Sequence, residues 1–318
     1  MIKVKAKSIL TAFVCLFAFR LLAQQNTSPV SKTRDSSLTA IAHWKKGETK
    51  YYIINHDNES NENGKPTVSR LKYYVSVKVV DSTADGYTLQ WNYNPPPAND
   101  NSAEAKEMYR VYKTVKIIFK TSNKGMFTDL VNWQDLRDFY LKQVDASIAK
   151  TGNPASDSAV QKAKQMFSSK MMVITTMAKE IALLYQVYGK TYSTKGTMVD
   201  TQFPNPFIPV QTIPAVFSMK IEEVNPKQGH YILSVRQNLD NNATSQLFES
   251  VIDKMDIRGQ DSLINEVKKM LANFEMNDYC EYTISTKSGW ISRMIYSREV
   301  TSNIIRQKDS YWIDERTR

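Results

Sequence analysis

The side chains that carry most protein chemistry are few and scattered in this chain. Its three histidines, His43, His56 and His230, lie far apart and have no partners at metal-ligand spacing. A tetrahedral metal site needs three or four converging Cys, His or carboxylate groups. No local stretch supplies them, so no cofactor is expected. His56 falls in an Asn-rich stretch, His230 follows a turn glycine, and His43 would need a carboxylate brought to it by folding. Glu222 and Glu223 are adjacent in an apolar-alternating arm. Neighbours on a strand point to opposite faces, so these two cannot work as one acid/base pair. The chain has no Gly-x-Ser-x-Gly elbow, no phosphate-binding Gly-rich loop and no His-Glu-x-x-His. The residues therefore point away from an enzyme.

The remaining candidates are apolar. Met166, Met171, Met172 and Met177 recur at helical spacing. Such a stripe either packs as core or offers an adaptable surface to an apolar ligand. Residues 202–214 carry four prolines together with Phe203, Phe207, Ile208 and Val210. Proline supplies no ladder donor, so this stretch reads as an edge or cover segment. Its apolar groups either line a groove or seal the sheet edge. The candidate ligand-binding set is Phe203, Phe207, Ile208, Val210, Met171 and Met177.

The N-terminus reads as a targeting segment. Lys3, Lys5 and Lys7 precede an uncharged apolar run of 11 residues, Ile9 to Phe19. That run suits a signal peptide and is short for a bilayer span. Cleavage is expected near Ala23, giving a periplasmic or secreted protein with no transmembrane span. Cys15 follows Val14, where lipid attachment would want a small residue. Loss of residues 1–23 removes Lys3, Lys5, Lys7 and Arg20 and no acid, which lowers the formal net charge from +10 to +6. The basic residues are spread out, with a slight excess at Arg293, Arg298, Arg306, Lys308, Arg316 and Arg318. They read as solvated faces, and no nucleic-acid partner is expected. One cysteine, Cys280, remains, so no internal disulfide can form.

Residues 24–38 read as a flexible leader. Ile41–Asn55 reads as a strand, and Asn55–Lys65 as a polar loop. Val68–Val80 carries apolar residues at period two and pairs with Gly86–Tyr93. A short helix at 100–108 is followed by a hairpin, Tyr112–Phe119 and Met126–Val131, turning at Asn123-Lys124-Gly125. A helix starts at Trp133, and a long one is expected over 156–188, stopped by Gly189. Residues 191–201 read as extended. The clearest hairpin spans 220–240 and turns at Asn225-Pro226-Lys227-Gln228-Gly229. Residues 241–274 read as helical. Asp278–Ile284 and Trp290–Val300 make a last hairpin through Lys287-Ser288-Gly289, with a short strand at Tyr311–Ile313.

The order of elements repeats. The 220–240 hairpin echoes 76–93, and the Lys-Gly-Met-Phe turn at 124–127 echoes Lys-Ser-Gly-Trp at 287–290. This divides the chain into halves at 39–189 and 190–318. The expected fold is α+β: curved antiparallel sheets, half-barrel-like and in tandem, packed against long helices. It is similar to the bacterial periplasmic lipoprotein-carrier folds, open β half-barrels plugged by helices, and no functional residue transfers from them. Two functions remain open. One is a cell-envelope protein that binds a lipid or other apolar or amphipathic small molecule between sheet and helices. The other is an envelope scaffolding module that meets a protein partner through strand edges or residues 202–214.

Overall fold

The computed structural model describes residues 36–62, 64–151, 167–204, 212–240, 244, 273–303 and 305–317. Its main feature is an 11-stranded sheet. One arm contains β2 (Thr49–Glu62), β3 (Lys65–Thr83), β4 (Gly86–Asn94), β5 (Lys116–Ser122) and β6 (Phe127–Leu130). The other contains β8 (Thr197–Pro204), β9 (Thr212–Asn225), β10 (His230–Leu239), β11 (Glu275–Ser285), β12 (Ile291–Thr301) and β13 (Ile305–Arg316). The spatial order is β6, β5, β4, β3, β2, β13, β12, β11, β10, β9, β8. Every neighbouring pair is antiparallel, and β13 against β2 joins the two arms. The sheet does not close, because β6 and β8 are its edges. Two short strands, β1 (Ser37–Thr39) and β7 (Thr191–Ser193), pair apart from it.

Alternation along the strands explains the inner face. Tyr73, Val75, Val77 and Val79 on β3 are buried, as are Tyr282 and Ile284 on β11 and Met294 and Tyr296 on β12. Among the described residues four helices accompany the sheet: α1 (Ala103–Tyr112), α2 (Trp133–Thr151), α3 (Lys170–Met177) and α4 (Lys179–Tyr185). The Ser102 hydroxyl caps α1 by accepting from the Ala105 amide, and Ser169 caps α3 by accepting from the Met172 amide.

Helix α4 shows how the sheet must bend. Ile181, Leu183, Leu184 and Tyr185 are all buried, and so are Gln186, Val187 and Tyr188 after it. After the charged Lys179 and Glu180, this segment is therefore core. Tyr185 packs on Phe119 of β5, and Glu180 accepts a hydrogen bond from Tyr73 of β3. Gln186 donates to Tyr282 of β11 at 2.7 Å. In a flat sheet β5 and β11 would lie roughly 29 Å apart at the usual strand spacing. A helix about 10 Å wide cannot span that. The two arms therefore curve toward each other around α4.

Among the described residues, the long helix expected over 156–188 is not found as one piece, whereas the helix expected from Trp133 is present. Residues 167–188 hold two short helices that meet at Ala178, where the backbone leaves helical geometry (φ −132°). The stripe that predicted one long helix arises in part because residues 183–188 are all buried. The expected break at 152–154 and nearly all of the 241–274 helical stretch lie outside the described residues. Two strands were under-read. Residues 55–62 continue β2 and are not a loop, and β13 is a 12-residue strand rather than a short one at 311–313. Conversely, Ile41–Glu48 is not strand.

Candidate functional site

The register of five neighbouring strands brings unusual residues into line. Asn58 of β2 pairs with Asp309 of β13, and Asp309 with Arg298 of β12. Arg298 pairs with Asp278 of β11, and Asp278 with Gln237 of β10. Opposite residues on one face have Cβ atoms about 5 Å apart, so these five side chains form one polar row across the sheet. Gln237, Asp278 and Arg298 are buried. The neighbouring row reads His56, Tyr311, Tyr296, Cys280, and the next Ile54, Ile313, Met294, Tyr282. Polarity thus falls in steps along the same strands.

Charges in the row are paired. Arg298 donates from Nε to Asp278 Oδ1 at 2.7 Å and from Nη2 to Oδ2 at 2.6 Å. This is a bidentate, charge-assisted pair. Burial works against the Arg298 charge, but the facing carboxylate outweighs it and raises the guanidinium's pKa. Asp309 stands between two partners: His56 Nε2 is 2.6 Å from Oδ1, and Lys179 of α4 donates to Oδ2. Burial alone would raise the Asp309 pKa. The hydrogen bond with His56 and the charge of Lys179 reverse this and hold the carboxyl well below the usual carboxylate range. The His56 ring stacks on Tyr311 at 4.0 Å and 6°. Lys179 lies 5.2 Å from the centre of the Tyr311 ring and 5.4 Å from that of Tyr296.

Beside this row the sheet and helices part to leave a cleft of about 400 Å³. His56, Lys179, Arg298 and Asp309 form its polar floor. Tyr140 of α2, Phe167, Met172 of α3 and Val300 of β12 form apolar walls. Tyr140 and Phe167 pack with ring centres 4.1 Å apart.

The opposite end of the strands is closed. The β5–β6 and β11–β12 turns both meet the segment Ala40–Trp44. The Ala42 amide donates to Lys124 O at 2.9 Å, and the His43 amide to Ser288 O at 3.2 Å. Glycine is required in each turn. A Cβ on Gly125 (φ +99°) would lie 2.7 Å from Ala42 Cβ, and one on Gly289 (φ +67°) 2.2 Å from Ile41 O. Trp44 fills this end, stacked on Trp290 at 4.6 Å and edge-on to Tyr185 and Tyr188.

Three solved structures resemble the chain at low identity. A lipovitellin, in a structure concerned with lipid–protein interactions, is 11% identical with a TM-score of 0.42 over 86% of this chain. The chain spans a quarter (25%) of that protein's length. DynF, from the dynemicin biosynthesis pathway of Micromonospora chersina, is 5% identical with a TM-score of 0.19. The match covers 93% of this chain and 92% of DynF. A Bacteroides fragilis protein of YmcC-like fold, described as exported, is 9% identical with a TM-score of 0.23. That match covers 88% of this chain and 100% of the other. No protein-family model matches the chain, and no curated protein sequence does.

The residues named from sequence are dispersed. Met177 is buried in the core, and Met171 is half-buried on α3, while Met172 lines the cleft. Phe203 lies on the edge strand β8, opposite Ile213. Phe207, Ile208 and Val210 lie outside the described residues. Two readings need correction. His56 is in a strand, paired with Asp309, and not in a loop. Arg298 is 6% exposed and is not on a solvated face. Among the described residues no helix is long and apolar enough to cross a membrane, and no group of three or more His, Cys, Asp or Glu is placed to hold a metal.

Proposed function

We propose that this is an exported, non-enzymatic binding protein that holds an amphipathic small molecule in the cleft between α2, α3 and the sheet. One observation carries the reading: a cleft of about 400 Å³ in which an apolar wall of Tyr140, Phe167, Met172 and Val300 meets a charged floor. Small-ligand sites are concave and mostly apolar, with a few converging polar groups that fix orientation. The floor's one carboxylate, Asp309, is committed to His56 and Lys179, which favours recognition over proton transfer. The N-terminal basic and apolar segment, Lys3 to Phe19, supports export.

Mass spectrometry of an organic extract from gently purified mature protein tests this. An amphiphile at near one-to-one stoichiometry is the expected result, lost when Met172→Trp fills the cleft. Protein that carries no small molecule and takes up no fluorescent fatty-acyl probe would end the proposal. A co-purifying protein instead would direct attention to the sheet edge at β8, where Met198 is 76% exposed.

A further inference from the structure

The outer face of the sheet carries a second recess. Tyr52, Val75 and Val77 are buried in the core. Alternation puts their neighbours Tyr51, Tyr74 and Ser76 on the opposite side of the sheet. The register sets Arg316 of β13 opposite Tyr51 of β2, Tyr51 opposite Ser76 of β3, and Tyr74 opposite Asn94 of β4. Here lies a pocket of about 190 Å³, lined by Tyr51, Tyr74, Val75, Asn94, Pro95 and Arg316. Among the described residues no carboxylate lines it.

The polar groups of this pocket have capacity left. The Arg316 guanidinium lies 5.0 Å from the centre of the Tyr74 ring, and among the described residues it makes no hydrogen bond or ion pair. The acids next to it in sequence have other partners: Glu315 accepts from Lys50 on the inner side, and Asp314 lies 3.5 Å from Arg293. A guanidinium resting on a ring still offers its fork of donors at the edge. Asn94 Oδ1 accepts from Ser76 Oγ at 3.3 Å, which leaves the two amide hydrogens. Asn92 and Gln90 continue the amide row along β4, joined at 2.6 Å. The Tyr74 hydroxyl donates to Asp100, which fixes the ring that forms one wall.

Size and chemistry together define the ligand. The pocket is smaller than the roughly 300 Å³ at which drug-sized sites begin, so it takes one ring. An arginine fork matches a carboxylate. Amides both donate and accept, as hydroxyls do. The negative faces of tyrosine rings attract the C–H groups of a sugar. We infer that this pocket binds a sugar acid: one pyranose ring with its carboxylate on Arg316, its hydroxyls toward Asn94 and its C–H groups against the tyrosine and proline walls. The site is independent of the cleft, which opens on the inner face.

Ligand-observed NMR titration of the mature chain with glucuronate, galacturonate, glucose and benzoate tests this. With about 13 non-hydrogen atoms, one of the two uronates is expected to bind with a Kd on the order of 1 mM. Glucose should bind at least about tenfold more weakly, for want of the charge-assisted pair. Arg316→Gln should bring the uronate down to the affinity of glucose and leave glucose unchanged. Met172→Trp, which fills the cleft, should alter neither. A uronate-containing tetrasaccharide separates the sources: tighter binding than the monosaccharide assigns the pocket to a unit of an acidic polysaccharide, and weaker binding to a free sugar acid. Equal binding of uronate and glucose by the wild-type chain, or tighter binding of benzoate, would overturn the sugar acid. Binding of neither uronate would overturn the site itself. A loss in Met172→Trp but not in Arg316→Gln would do the same by moving the sugar to the cleft. None of these outcomes bears on an amphiphile in the cleft, which the extraction experiment reads separately.

Discussion

The two ends of the same strands are built by opposite rules. At the turn end, Trp44, Trp290, Tyr185 and Tyr188 interlock, and two glycines let the chain pass within van der Waals reach of Ala40–Trp44. Aromatic pairs of this kind add about 0.5–1.5 kcal/mol each beyond the area they bury. At the cleft end the inward positions hold Asp309, Arg298 and Asp278. Buried ion pairs seldom gain more than their desolvation costs, and apolar residues of like volume often serve stability as well or better. A sheet that needed only to fold would have carried the turn-end pattern through to the cleft. The difference separates a tightly packed apolar end from a charged one.

The largest test of this comparison is Arg298→Ala. It leaves Asp278 buried without its bidentate partner and should cost about 3–5 kcal/mol in denaturant unfolding. The paired replacement Arg298→Met with Asp278→Leu should recover most of that loss. A double variant as unstable as the single would mean that the row is structural, and the contrast between the ends would fail.

Next is Gly289→Ala. Its Cβ would sit 2.2 Å from a backbone oxygen at a positive φ, so strain and overlap together should cost about 2–4 kcal/mol. Gly229 offers the control. It has a similar φ (+71°), but its nearest neighbour would be Thr286 Oγ1 at 3.8 Å. Gly229→Ala should therefore cost only about 1 kcal/mol, from conformation alone. Equal losses at the two sites would show that the turn-end interlock is not tight.

The comparison also explains what could be read from the chain. The hairpins at 220–240 and 76–93 were legible because their inward residues are apolar and alternate with polar ones. The turn at 287–290 was legible through its glycine, although its contact with Ile41 was not. Residues 55–62 and 305–310 were missed for a single reason. Their inward positions are His56, Asn58, Ser60, Gln307 and Asp309, so apolar alternation disappears and the strands look like loops. Arg298 was misread for a related reason: only the register of β12 against β11 puts Asp278 opposite it. A polar site on the inner face of a sheet removes the signal by which that strand would be recognised. Contacts between distant turns were equally hidden. The turns at 123–125 and 287–289 could be seen, but not that both meet the segment Ala40–Trp44.

A smaller effect separates the ends by pH. Asp309 has a carboxyl pKa held below its ordinary range, so its contribution is complete above about pH 4 and is lost as the pH falls further. The stability difference between wild type and Asp309→Asn should be on the order of 2 kcal/mol at neutral pH and shrink steadily as the pH falls below about 4. A gap that stays constant across this range would place the Asp309 effect in packing rather than in charge.

The smallest effect lies at the boundary between the two ends. Cys280 occupies the row between the charged residues and the apolar core, facing Tyr296 on β12. It is 3% exposed, and Gln186 Nε2 approaches its Sγ at 3.4 Å. Burial, chiefly, pushes its thiol up to about 12. A raised acid pKa means that the stabilisation from holding the thiol neutral is present below the unfolded value of about 8.5 and declines as pH rises above it. The thiolate is the reactive form, so native protein at about pH 8 should resist alkylation and label fully only after unfolding. Cys280→Ala should cost about 1 kcal/mol, the loss of one small buried group. Rapid labelling in the native state would show that solvent reaches one row deeper than the cleft. The polar row would then be a channel into the core rather than its floor.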